Sequence, residues 1–131
     1  MQEFNEWNKV KIRVSNVKKV RLFKERDIFY INMGKNIGHE QNGKGHNFVR
    51  PIVIVKKISN EMLLAIPLST QIKEGSWFFR FDFIKKDTIS ENIAILPQIR
   101  MYSTKRLLNK IGVMKKDDFI RLKKELVDFI S

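Results

Sequence analysis

Three sets of residues in this 131-residue chain are of types that do chemistry. The first is a histidine pair, His39 and His46, in one glycine-rich stretch. Imidazoles titrate near neutral pH, so two of them can divide base and acid work in a metal-free RNA cleavage. Only proximity along the chain joins these two, and loop histidines are more often plain surface residues. The second set is the stretch itself, where Gly34, Gly38, Gly43 and Gly45 interleave with Lys35 and Lys44. Glycine-rich backbone with lysines can cradle phosphate. Its spacing matches neither the P-loop nor the dinucleotide fingerprint and no helix pattern follows, so no nucleotide cofactor is expected and a surface loop between strands is the plainer reading.

The third set is spread along the chain. Arg50-Pro51 opens one apolar run, Pro67-Leu68-Ser69-Thr70 closes the next, and Pro97-Gln98-Ile99-Arg100 follows another. Hairpin-linked strands run in opposite directions, so the start of one lies beside the end of the other and Arg50 can meet Ser69. A fixed guanidinium beside hydroxyls suits a phosphodiester, because arginine grips two oxygens at once and stabilises charge growing on them. Strand ends also carry Arg, Ser and Thr for turn and capping reasons, so the set needs elements that hold it together.

Those elements are legible as periodicities. Apolar residues at Phe4, Trp7, Val10 or Ile12, Val14 and Val17 recur every three to four positions, which predicts an amphipathic helix from Phe4 to Val20. The β-branched and aromatic segment Asp27 to Asn32 predicts a strand entering the glycine-rich loop. Ile52-Val53-Ile54-Val55 predicts a buried strand with Pro51 at its beginning, where a missing N–H is tolerated. Ser59-Asn60-Glu61 reads as a hairpin turn into a strand from Met62 to Ile66 that Pro67 should end. Trp77 to Phe83 alternates from Phe79 onward as a half-exposed strand does, and Ile93 to Leu96 is a fifth short strand. Ser103 is placed to cap a brief helix, Thr104 to Lys110, stopped by Gly112. Phe119, Leu122, Leu126 and Phe129 mark the strongest helix, Asp117 to Ile130, with two carboxylates at the positive end of its dipole. Five short strands between two terminal helices, with hairpin-length connections, predict a mainly β, α+β fold: a small antiparallel barrel.

Composition narrows the function classes. The length fits one domain, and 43% hydrophobic residues with ten Phe and two Trp can build a core. The absence of cysteine removes disulfides, thiolate nucleophiles and Cys-ligated zinc, and two histidines leave little for another metal site, so no metal is expected. The longest apolar run, Met62 to Leu68, contains Pro67, which predicts no membrane span. Met1 to Trp7 holds no basic region followed by an apolar one, so a cytoplasmic location is expected. With 26 Lys plus Arg against 14 Asp plus Glu, the net charge is +12, which favours a polyanion or an acidic protein as partner. The excess sits at the ends: residues 1 to 26 hold eight basic and three acidic side chains, and residues 105 to 124 hold eight and two. Solvated faces of two helices are the bland account of both runs.

The order Gly38-His39-Glu40-Gln41, Arg50-Pro51-Ile52-Val53-Ile54, Ile66-Pro67-Leu68-Ser69-Thr70-Gln71, then Leu96-Pro97-Gln98-Ile99-Arg100 resembles the MazF/PemK toxins, sequence-specific endoribonucleases of bacterial toxin–antitoxin pairs. The likeness continues through Lys105-Arg106-Leu107-Leu108 and Ile111-Gly112 to the final helix, and so covers Asp27 to the C-terminus. Residues 1–26 lie outside the likeness and read as an added N-terminal helical extension; over 27–131 the resemblance implies an SH3-like barrel of the CcdB/MazF type with a C-terminal helix. It further implies a homodimer that cleaves single-stranded RNA without metal, leaving a cyclic phosphate and a 5′-hydroxyl. The resemblance puts Arg50 at the catalytic arginine and Ser69 where the family usually has its catalytic threonine, with adjacent Thr70 as the other candidate hydroxyl. A guanidinium is too basic to be an ordinary general base, so Arg50 is expected to stabilise charge and to donate a proton.

Gln98, His39, Glu40 and Lys44 are implied on the RNA-binding side, as is Thr70. His39 replaces a small polar residue of the family's Gly-x-Glu-Gln motif, either passively or with a contact of its own. Such toxins are blocked by a cognate antitoxin whose disordered, often acidic tail covers the RNA groove, and a strongly basic chain suits such a tail. Two other classes remain: a CcdB-like gyrase poison, which does not need Arg50 and Ser69, and a plain nucleic-acid-binding module, for which the peripheral lysines suffice.

Overall fold

A computed structural model describes residues 22–35 and 47–131, and the helix expected from Phe4 to Val20 lies outside them. Among these residues, seven strands and one α-helix follow in chain order: β1 Asp27–Lys35, β2 Asn47–Lys57, β3 Met62–Ser69, β4 Phe78–Lys85, β5 Thr88–Ile95, β6 Arg100–Ser103, β7 Leu107–Val113 and α1 Lys116–Ile130. All pairings are antiparallel, in the order β4-β5-β3-β2-β1-β7. Strand β3 is shared: its start, Met62 to Ala65, pairs with β6, and its end, Leu68-Ser69, pairs with β5.

The β-branched run of β2 is buried on both faces because its side chains alternate between two apolar clusters, one on each side of the sheet. Val53 and Val55 join Ile66, Leu68 and the rings of Phe79, Phe81 and Phe83 on one face, whereas Ile52 and Ile54 join Leu63, Ala65, Tyr102 and Leu107 on the other. Neighbouring rings among Phe79, Phe81 and Phe83 stack with centroids 6.1 Å apart. Burying each ring stabilises the fold by about 1.5–3 kcal/mol. Helix α1 caps this first core with Phe119 and Leu122 and leaves Ile120, Val127 and Ile130 exposed. No helix among the described residues is long and apolar enough to cross a membrane.

Three expectations are corrected. The sheet is not a closed barrel: no ladder joins its end strands β4 and β7, although Gly112 of β7 packs so tightly on Phe83 that a Cβ there would sit 2.5 Å from the ring. Both prolines lie inside strands. Pro51 faces Tyr30 of β1 but stands one residue beyond the last pair with β3, Ile52 with Pro67, while β3 continues through Pro67 to Ser69. The helix expected from Thr104 to Lys110 is a single 3₁₀ turn, Thr104–Arg106, in which Ser103 Oγ accepts from Lys105 N at 3.2 Å. From Leu107 onward the chain is extended, because pairing with β1 (Leu107 opposite Ile31) outweighs local helix preference.

Candidate active site

The register of β2 and β3 decides where Arg50 goes. Beyond the pair of Ile52 and Pro67 the two strands share no ladder, so Arg50 emerges beside the end of β3. Its Nη2 donates to the carbonyl of Leu68 at 3.4 Å, and its Nη1 donates to Gln98 Oε1 at 3.3 Å. Gln98 is held in place by the 3₁₀ turn Leu96–Gln98, which is anchored by the buried Leu96 side chain and by the bond from Leu96 N to Trp77 O at 2.9 Å. Both acceptors of Arg50 are neutral, and no carboxylate among the described residues pairs with it. A guanidinium carries five donors, and the two bonds to described residues leave three of them for a ligand.

Ser69 Oγ accepts from Gln71 N at 3.0 Å, a local turn that fixes the hydroxyl while leaving its own proton to donate. Arg50, Ser69 and Thr70 line one cavity of about 300 Å³. The expected meeting of Arg50 with Ser69 is therefore what the hairpin produces, and Gln98 joins through Arg50. His39, Glu40, Lys44 and His46 lie outside the described residues.

The far wall of the cavity holds residues that the sequence alone does not point to: Tyr30, Lys85, Ser90 and Asn92. Lys85 Nζ donates to Tyr30 Oη at 2.8 Å and lies 5.3 Å from the centre of the ring. Asn92 is only 2% exposed, and its Nδ2 donates to Ser90 Oγ at 3.0 Å and to Ser90 O at 3.3 Å. An asparagine inside a strand whose neighbours Ile93 and Ala94 are apolar was the one available signal for this wall. Tyr30 and Lys85 are 55 residues apart and left none.

The buried Tyr102 has Arg100 over its ring at 4.9 Å, and its Oη has no partner among the described residues. Burial pushes its phenol up from the ordinary tyrosine range, while Arg100, Arg50 and Arg106 pull the other way. The cavity is an anion-ready one: a cation without a counter-charge among the described residues, a hydroxyl able to donate, and a second cation, Lys85. A phosphodiester matches that set in charge and in hydrogen-bond chemistry. Among the described residues no group of three His, Asp or Glu side chains is placed to hold a metal.

Comparison with known proteins gives a consistent picture. The family described as PemK-like, MazF-like toxin of type II toxin-antitoxin system matches residues 24–130. Among solved structures, MazF from Deinococcus radiodurans superposes with a TM-score of 0.61 at 14% identity, covering 84% of this chain and 97% of that one. The Mycobacterium tuberculosis toxin MazF-mt6 superposes with a TM-score of 0.59 at 11% identity, covering 79% of this chain and 94% of that one. At such identities the likeness to these two structures is one of fold. No curated protein matches the chain.

Proposed function

The chain belongs to the PemK-like, MazF-like toxins of type II toxin–antitoxin systems, and we propose that it arrests growth as a metal-independent endoribonuclease on single-stranded RNA. The observation that carries this reading is Arg50, free of any carboxylate among the described residues, in one cavity with the hydroxyls of Ser69 and Thr70. In the proposed reaction the substrate's 2′-oxygen, its proton lost to solvent, bonds to phosphorus. The bond from phosphorus to the 5′-oxygen breaks, and its electron pair goes to that oxygen, which takes up a proton. The products are a cyclic phosphate and a 5′-hydroxyl. Arg50 holds two non-bridging oxygens and stabilises the charge that accumulates on them as phosphorus becomes five-coordinate. Ser69 donates to the same group from the other side.

Gln98 orients Arg50 through the bond to Nη1 and contributes to RNA contact, and His39, Glu40 and Lys44 extend the RNA surface. The enzyme works as a homodimer, and a cognate antitoxin with an acidic tail occupies the same cations and so competes with RNA. The test is incubation of the purified chain with mixed RNA in EDTA, followed by mapping of the ends. New 5′-hydroxyl ends are expected. RNA that stays intact but is retained would replace this reading with a binding module, and RNA neither cut nor bound would point to a toxin that acts on a protein.

A further inference from the structure

Lys85 is not explained by the chemistry above. It stands on the wall between two adjoining cavities: the one of about 300 Å³ that holds Arg50 and Ser69, and one of about 410 Å³ lined by Lys86, Asn109 and Lys110. Tyr30, Lys85 and Ile111 line both. A ligand that leaves the first cavity on this side passes the Lys85 ammonium.

The second cavity has fewer usable charges than its lysines suggest. Lys110 faces the buried carboxylate of Asp27 at 3.2 Å and is neutralised by it. Lys86 sits in the two-residue hairpin turn with Asp87, where both residues take positive φ, 49° and 64°, as a type I′ turn requires. Lys85 differs from both. The phenol that accepts its hydrogen bond leaves its charge intact, and among the described residues nothing else takes up its other two N–H donors. The same phenol and ring hold the flexible side chain in one place, so less rotamer freedom is lost when an anion binds.

A single RNA strand carries one phosphate per nucleotide, so a strand with its scissile phosphate at Arg50 carries a further anion into whichever cavity it enters next. We propose that Lys85, positioned by Tyr30, binds the phosphate next to the scissile one and directs the strand from the reaction cavity into the second. This rests on the RNA-cleaving reading of the site. Lys85 then acts on substrate binding, and Tyr30 is a positioning residue that acts through it.

The test uses an oligonucleotide containing a mapped cleavage site, with either phosphate adjacent to the scissile one replaced by a neutral methylphosphonate. In the unaltered protein one of the two replacements should lower kcat/KM about tenfold, the size of one charge-assisted contact. Lys85→Met should show a similar loss on the normal substrate and no further loss with that replacement, Lys85→Arg should recover most of it, and Tyr30→Phe should lose less than Lys85→Met. Losses from Lys85→Met and from each methylphosphonate that simply multiply would overturn the proposal, as would no loss at all. If the protein cuts no RNA, the nuclease reading fails by itself. The subsite is then read from binding to a 2′-O-methyl oligonucleotide, where Lys85→Met should reduce the slope of log affinity against log salt by about 0.7. An unchanged slope would overturn the subsite independently.

Discussion

The reaction cavity of about 300 Å³ around Arg50 has a counterpart of similar size elsewhere on the protein, one of about 260 Å³ around Arg80, Lys115 and Arg121. The second is the more highly charged, yet each of its cations has a carboxylate partner. Arg80 meets Glu91 at 3.1 Å, Lys115 meets Asp82 at 3.0 Å, and Arg121 meets Asp118. In the first cavity Arg50 and Lys85 rest on neutral acceptors: the Gln98 amide, the Leu68 carbonyl and the Tyr30 phenol. A neutral acceptor fixes a cation's position and leaves its field intact, whereas a carboxylate cancels the field. The number of charges in a cleft is thus a poorer guide to anion binding than the identity of their partners.

The largest test of that contrast removes the Arg50 cation from its neutral acceptors. Arg50→Ala should lower kcat for RNA cleavage by about 10²–10³, the usual cost of one donor to charge developing in a transition state. The fold should survive, since among the described residues the Arg50 side chain makes only two long hydrogen bonds, at 3.3 and 3.4 Å. Full activity in this variant, with an unchanged circular dichroism spectrum, would sink the assignment of Arg50.

A smaller effect separates the two neighbouring hydroxyls. Ser69 is half-buried at the end of β3 with its oxygen fixed by Gln71 N, while Thr70 is exposed beyond the strand. Ser69→Ala should cost about tenfold in kcat, the net value of a hydrogen bond to a charged group, and Thr70→Ala should cost less. The reverse order in single-turnover rates would move the catalytic hydroxyl to Thr70.

How much of this site can be read from sequence depends on how far apart its parts lie along the chain. Arg50 and Ser69 are joined by one hairpin, so a turn signal at Ser59-Asn60-Glu61 and two apolar runs suffice to predict their meeting. Tyr30 reaches the same cavity through the pairing of β1 with β2, and Lys85 and Asn92 through that of β5 with β3, and no local pattern encodes either pairing. Strand β7 escapes notice for a related reason. Leu107 is its one buried residue, and as the last strand of the path it shows no alternation to detect. Helix α1 is the opposite case: Phe119, Leu122, Leu126 and Phe129 face a single core, and the period is visible directly. The two prolines mislead because each is tolerated by a feature of register that only the pairing reveals, as where Pro51 stands just outside the ladder with β3. The charge also changes meaning. Three of the eight basic side chains from 105 to 124, Lys110, Lys115 and Arg121, rest on carboxylates, while Arg106 is held by the neutral Asn32 carbonyl and keeps its field.

The smallest effect comes from the paired cavity. The hydrogen bond from Lys115 to Asp82, and after it the Asp82 charge, hold the Lys115 ammonium above the ordinary lysine range. A group whose pKa is raised on folding contributes stability that is complete below its unfolded value, about 10.4 for lysine, and is lost as pH rises through the folded value. Lys115→Ala should therefore flatten the pH dependence of stability only in alkaline solution, and at neutral pH it should leave RNA cleavage unchanged. The informative variant takes the carboxylates away instead. Asp82→Asn with Glu91→Gln would free Lys115 and Arg80 and turn the paired cleft into one with open charge. RNA affinity at low salt should then rise, with a salt slope steeper by about 0.7 for each freed cation that reaches a phosphate. The single-turnover rate at saturating protein should stay as it was, because the new charge lies in a cavity without Arg50 and Ser69. If that rate rose with affinity, bulk charge would be setting turnover, and the distinction between the two cavities would collapse.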